Sequence, residues 1–165
     1  ATVAPASRWR WIRDVTLAVT VLVLGFASVR EARDRQAFRL QALESRFERT
    51  GLFVRDRLPA NAFVVTSWHS GSVRFYGNRQ TLVWTALDPA WLERALTFVE
   101  TRGYEPYLLF ERWEEPRFRS RFKGTAVGAL DWPPAAEIGA QVRIYRPGDR
   151  QKYLAGEMGP TEYAR

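Results

Sequence analysis

Two short stretches concentrate the residue types that do chemistry. Trp68-His69-Ser70-Gly71-Ser72 puts an indole, the chain's single imidazole and two hydroxyls within five residues. Glu111-Arg112-Trp113-Glu114-Glu115 supplies three carboxylates, a guanidinium and a second indole. Indole faces beside carboxylates and N–H donors are what a sugar or an isoprenoid head group would use. Ser70-Gly71-Ser72 could present backbone N–H groups to a phosphate at a helix start. Arg74 and Arg79 flank Phe75-Tyr76-Gly77 and could hold a pyrophosphate. Asp88, with Glu111, Glu114 or Glu115, would make a carboxylate pair of the kind used for acid–base work.

Each feature also has a plainer reading. Gly71 can simply permit a tight turn while the two serines cap a helix, and the stretch is neither a dinucleotide fingerprint nor a phosphate loop. His69 and Ser70 are neighbours in sequence, a poor arrangement for base and nucleophile, and no nucleophile elbow surrounds them. The acids can be helix caps and surface charge, and the arginines can join ion pairs. No catalytic residue is assigned. With no cysteine and one histidine, thiolate chemistry, disulfides and multi-histidine metal centres are excluded, and no metal or cofactor is expected. The candidate ligand-binding set is therefore Trp68, His69, Ser70, Gly71, Ser72, Arg79, Asp88, Glu111 and Trp113.

The elements that would carry these residues alternate. Ala62–Thr66 is an apolar, β-branched run that reads as a buried strand. A short helix follows at Ser70–Tyr76, then a strand at Thr81–Trp84. Asp88-Pro89 is a helix start, with Trp91, Leu92, Ala95, Leu96 and Val99 as the apolar face and Gly103 as the stop. Pro106–Phe110 is a third strand. Glu114-Glu115-Pro116 opens another helix, closed by Gly124. Ala126–Leu130 and Gln141–Tyr145 read as two further strands. Such alternation gives an α/β fold, a small three-layer domain with a mostly parallel sheet of four or five strands. Chemistry in such a sheet sits beyond the carboxyl ends of the strands, where both aromatic stretches fall.

Upstream, Val15–Val29 is uncharged and apolar on every side, unlike a core helix. Fifteen helical residues rise about 22 Å, short of a bilayer core of about 30 Å. Trp9, Trp11 and Ile12 extend the apolar surface, and Arg10, Arg13 and Arg30 can snorkel. The segment reads as a transmembrane helix. It gives three regions: a membrane anchor with its flank at 1–30, the α/β domain at 31–150 and a flexible tail at 151–165. Within 31–150, a helix carrying Phe38, Leu40, Leu43 and Phe47 runs to about Arg49, and Gly51 breaks it before a short helix at Leu52–Leu58. The net charge of +7 is almost all arginine, interleaved with acids, so no nucleic-acid partner is expected. Arg30, Arg33, Arg35 and Arg39 outweigh Arg8, Arg10 and Arg13, which by charge alone places the domain in the cytoplasm.

Several segments together carry a resemblance. They are Leu58-Pro-Ala-Asn-Ala-Phe-Val-Val65, Ser70-Gly-Ser-Val-Arg-Phe-Tyr-Gly-Asn-Arg79, Leu87-Asp-Pro-Ala-Trp-Leu92, Gly103-Tyr-Glu-Pro-Tyr-Leu-Leu-Phe-Glu111 and Trp113-Glu-Glu-Pro-Arg-Phe118. The series resembles the last membrane helix and C-terminal soluble domain of bacterial membrane glycosyltransferases of the dolichyl-phosphate-mannose-protein mannosyltransferase-like group (family 39). The resemblance implies a bacterial cell (inner) membrane location with the domain outside the cytoplasm, against the charge count. It also implies a polyprenyl-phosphate sugar donor and catalytic acids in an early loop that this chain does not contain. The expected function is then a non-catalytic C-terminal module, its partners being the lipid bilayer, the rest of the parent protein and a polyprenyl-phosphate sugar or acceptor glycan. The competing expectation is a single-pass anchored binding or scaffold domain.

Overall fold

The computed structural model describes residues 6–35, 37 and 40–164, so Phe38 and Arg39 of the expected elements lie outside the described residues. The chain divides between Ser45 and Arg46 into two units.

In the first unit, α1 (Ala6–Asp34) is one uninterrupted helix. Its stretch Trp9–Asp34 is long and apolar enough to cross a membrane. Twenty-six residues rise about 39 Å, which exceeds a hydrocarbon core of about 30 Å. Leu17, Val21, Leu22, Leu24 and Phe26 are all exposed, so this helix supplies no core. Its hydroxyls are self-satisfied: Thr16 and Thr20 donate to the carbonyls of Ile12 and Thr16 at 2.9 and 2.8 Å.

The second unit is a three-layer α/β domain. The elements after α2 (Leu40–Arg57) are β1 (Ala62–Val65), α3 (Ser70–Phe75), β2 (Gln80–Leu82), α4 (Leu92–Thr101), β3 (Glu105–Glu111), α5 (Glu115–Arg121), β4 (Ala136–Ile138), β5 (Val142–Tyr145), α6 (Asp149–Leu154) and β6 (Glu162–Ala164). The strands lie in the order β2-β1-β3-β5-β4-β6. β1 pairs parallel with β2 and β3, and β4 with β6, while β5 runs antiparallel to β3 and β4. Side chains alternate across β3 as the pleat requires. Leu108 and Phe110 join Leu92 and Leu96 of α4 and Phe118 of α5 on one face. Tyr107 and Leu109 join Val54 of α2 and Val73 of α3 on the other. Both faces are covered, which is why β1 and β3 read as continuous apolar runs.

Local signals act where the sequence places them. The Asp88 carboxylate accepts from the Ala90 amide at 2.9 Å, opening a single 3-10 turn at Pro89–Trp91 that runs into α4. Gly103 ends α4 at φ +80°, a conformation costly for other residues. Phe118 and Phe122 meet one turn apart at the end of α5, with ring centroids 4.7 Å apart and planes tilted by 50°.

Three expectations fail for identifiable reasons. Gly51 does not break α2: a Cβ there would lie 2.5 Å from Tyr76 Cβ and 2.6 Å from the Ser72 carbonyl oxygen. The glycine serves contact between two helices. The expected strand at Ala126–Leu130 is a set of turns, because the Thr125 hydroxyl accepts from the Gly128 amide and Leu130 takes φ +43°. Gly128 itself lies too close to the Phe122 carbonyl for any side chain. The fourth strand is instead Ala136–Ile138, joined to β5 through Gly139 and Ala140, both at positive φ. Finally, the tail expected to fray contains α6 and β6, which pairs with β4 from Ala136↔Glu162 to Ile138↔Ala164.

Candidate functional site

The carboxyl ends of β1 and β3 bring residues 66–72 and 111–114 together. Glu111 is the last residue of β3, and its side chain is the hub. His69 is fully buried, with Nε2 3.0 Å from Glu111 Oε1. An ionised carboxylate only accepts, so Nε2 carries the proton and donates. Arg46, from α2, reaches the same oxygen from the other side with Nη1 at 3.3 Å. Phe47 packs on the imidazole with ring centroids 4.8 Å apart. The Ser72 hydroxyl lies 3.4 Å from His69 Nδ1 and donates to the His69 carbonyl oxygen at 3.0 Å. Arg46, Glu111 and His69 form a buried chain in which the two charged groups and the ring hold one another, with Ser72 bonded to the His69 backbone.

Glu114 tightens the same edge. Its Oε2 accepts from the Glu111 amide at 3.0 Å, and the Trp68 amide lies close enough to favour its charged form. Burial pushes this carboxyl above its ordinary value of 4.5, and the two amides only partly offset that. The β1 and β3 loops are tied through the His69–Glu111 side-chain bond, and the β1 and β2 loops through Ser67 Oγ and Thr85 Oγ1 at 3.1 Å.

Above this buried base two indoles stand in solvent. Trp68 and Trp113 are 53% and 46% exposed. They meet edge to face, with centroids 5.5 Å apart and planes at 84°. Arg117 lies over the Trp113 ring at 5.1 Å. A half-exposed edge-to-face indole pair beside a cation is a platform of the kind that stacks an apolar sugar face or a prenyl chain.

The other candidates fall elsewhere. Arg79 sits at the amino end of β2 and spends its guanidinium on five carbonyls, of Arg55, Leu58, Pro59, Gly77 and Asn78, at 2.9 to 3.2 Å. Two of these, of Arg55 and Leu58, are otherwise unpartnered carbonyls at the end of α2 and just after it, while that of Pro59 also accepts from the Ala62 amide at 2.9 Å. Asp88 is committed to its cap and does not approach the glutamates. The carboxylate pair across the edge is therefore not assembled. Glu115 is buried and accepts from Arg143 Nη1 at 3.1 Å and from the Tyr145 hydroxyl at 2.9 Å, pinning α5 to β5. Ser70 is half-buried, and Gly71 is exposed with open space around it and no positive φ. No side chain caps α3.

Sequence reasoning missed Arg46, Phe47 and Arg117. Arg46 and Phe47 lie on α2 far from the loops in sequence, and no local motif marks either. Arg117 was visible only as one of many arginines, although its position four residues after Trp113 is the spacing at which helical neighbours meet.

Histidine and glutamate are sealed from solvent, and the hydroxyl nearest the ring donates to a backbone carbonyl. Among the described residues no group of three His, Asp or Glu side chains could hold a metal ion. No protein-family model matches the chain, and comparison with curated proteins and with solved structures finds no significant match.

Proposed function

We propose that this chain is the last membrane span and the non-catalytic C-terminal domain of a membrane glycosyltransferase that uses a polyprenyl-phosphate sugar. In this reading the domain lies on the extracytoplasmic side of a bacterial inner membrane, and its indole edge receives a sugar or the lipid end of donor or acceptor. The observation that carries a binding role is the exposed Trp68–Trp113 pair set rigidly on the buried Arg46–Glu111–His69 chain. A solvent-facing aromatic pair on so firm a base is preorganised for stacking, which lowers the entropic cost of binding. The apolar α1 supports membrane anchoring, and the motif series supports the enzyme class.

One indole face and a few donors should give only millimolar affinity, about 4 kcal/mol. That suffices beside a tethered active site, where effective concentrations are also roughly millimolar. The test is fluorine NMR of the full chain in lipid nanodiscs with its seven tryptophans replaced by 5-fluorotryptophan. Short polyprenyl phosphates and simple glycosides are the titrants. Shifts confined to Trp68 and Trp113, and lost in Trp113→Ala, support the reading. Silence at both signals up to tens of millimolar (about ten times the expected Kd) refutes it and leaves an anchored scaffold domain. The enzyme class has its own check in the coding sequence upstream of Ala1, which should encode further membrane spans with an acidic loop after the first.

A further inference from the structure

We infer that the outer face of α4 is a docking surface for an anionic lipid bilayer. Leu92, Leu96 and Val99 bury one face of this helix against the sheet. Alongside it, at one-turn spacing, stand Trp91, Arg94, Ala95, Phe98 and Arg102. Trp91 and Phe98 are 55% and 58% exposed, and with Arg94 and Ala95 they line an open groove of about 470 Å³. Each ring carries a guanidinium: Arg94 lies 5.7 Å from the Trp91 centroid and Arg102 5.1 Å from that of Phe98. At about 100° per residue, the acids of the helix, Glu93 and Glu100, fall on the other side. The Glu93 carboxylate is already engaged with the Ala126 amide. The groove is thus apolar with Arg94 and Arg102 at its edges, and the one acid beside it, Asp88, is engaged in capping the helix start.

Nothing in the sheet needs Trp91 or Phe98, and two large exposed rings are costly unless something covers them. A bilayer is the occupant that matches the chemistry and is within reach. Tryptophan and phenylalanine bury into the head-group boundary, while arginines over those rings turn outward to lipid phosphates. Arg46, where the domain begins, lies a dozen residues beyond the end of α1 at Asp34. Even fully extended, that tether spans only about 40 Å. A domain held so close meets the membrane surface at very high effective concentration, so a modest apolar face suffices. The inference rests on α1 being in the membrane and not on ligand binding at the indole edge.

The chain has no cysteine, so Ala95→Cys gives one labelling position in the groove that leaves Trp91 and Phe98 in place. The full chain, labelled there with the environment-sensitive dye NBD, is reconstituted into nanodiscs of neutral phosphatidylcholine or of phosphatidylcholine with phosphatidylglycerol. Doxyl-labelled lipid is the quencher. Docking predicts blue-shifted emission and strong doxyl quenching in the anionic discs, with less in neutral ones. Each arginine near an anionic surface should strengthen association about fivefold, so Arg94→Glu with Arg102→Glu should abolish the quenching. Water-like emission and no quenching in anionic discs would overturn the inference. So would a blue shift without doxyl quenching that grows with the number of chains per disc, since the groove would then be covered by a second copy. Fluorine signals of Trp68 and Trp113, read on the same discs, report separately on the indole edge.

Discussion

The His69–Glu111 contact permits a quantitative test of the buried chain that supports the indole pair. Both side chains are essentially inaccessible, and the bond is 3.0 Å long. His69→Phe keeps the ring and its packing on Phe47 but removes the donor. A hydrogen bond to a charged group contributes about 1.5–3 kcal/mol, and the buried acceptor left behind adds its desolvation cost. Arg46 still pairs with the same oxygen at 3.3 Å and is 28% exposed, so part of that cost is met. The expected loss is about 2–3 kcal/mol. Glu111→Leu leaves the imidazole N–H and Arg46 without an acceptor, but Arg46 can turn to water, and the expected loss is about 2 kcal/mol. When both are replaced the mismatch disappears, because apolar groups of similar shape at both positions are nearly neutral. The double variant should therefore lie within about 2 kcal/mol of the parent, giving a coupling energy of at least about 2 kcal/mol. Urea unfolding of the detergent-solubilised full chain, followed by near-ultraviolet circular dichroism, measures all four corners. A coupling energy below about 0.5 kcal/mol, the usual scatter for independent sites, would mean that the two groups do not bond and that the indoles lack the base described.

Other positions make separate predictions. Gly103→Val, at φ +80°, should lose about 1–2 kcal/mol, whereas Gly71→Ala, in open helical space, should be neutral or gain up to about 1 kcal/mol; matching urea midpoints for the two would refute the assignment. Gly51→Ala raises helix propensity yet drives a Cβ into Tyr76 and the Ser72 carbonyl, so it should cost about 1–3 kcal/mol and lower the Tm, and an unchanged Tm would exclude the close helix contact. Glu114→Gln tests the buried carboxyl. Because the folded-state pKa is raised, the native state holds its proton longer than the unfolded chain, and the parent loses stability as pH rises from about 4.5 through the folded pKa. The amide carries no such loss, so its stability relative to the parent should climb over that window. A fall in relative stability with rising pH would reverse the sign and disprove it.

The readable parts of the fold were those in which a residue's own chemistry fixes its conformation. Asp88-Pro89 could cap a helix whatever surrounded it, and Gly103 and Gly124 announced positive φ. Ala62–Val65 and Pro106–Phe110 had the composition of strands buried on both faces, and they are. What stayed hidden depended on partners distant in sequence. Gly51 looked like a break because the surface of α3 that needs its missing side chain lies some twenty residues on. Ala126–Leu130 had strand composition, yet a hydroxyl turn at Thr125 and the crowding at Gly128 curl it. Glu162–Ala164 has no apolar alternation of its own and is a strand only because β4 offers an edge. At the site, the rule for the carboxyl ends of parallel strands gathered Trp68, His69, Ser72, Glu111 and Trp113 correctly in space. It could not show that the histidine and glutamate face inward, nor that Arg79 and Asp88 serve local backbone groups.

The contact between Gly51 and Ser72 also has a mechanical meaning. Helices usually meet through side chains, a layer that yields a few tenths of an ångström under load. Here the backbone of α2 lies directly against the backbone of α3, and that layer is missing. The two helices form a stiff joint, and Ser72 belongs to the turn whose carbonyl and ring are those of His69. At that point no side-chain layer separates α2 from the Ser72 carbonyl, one turn from His69 and the loop that carries Trp68.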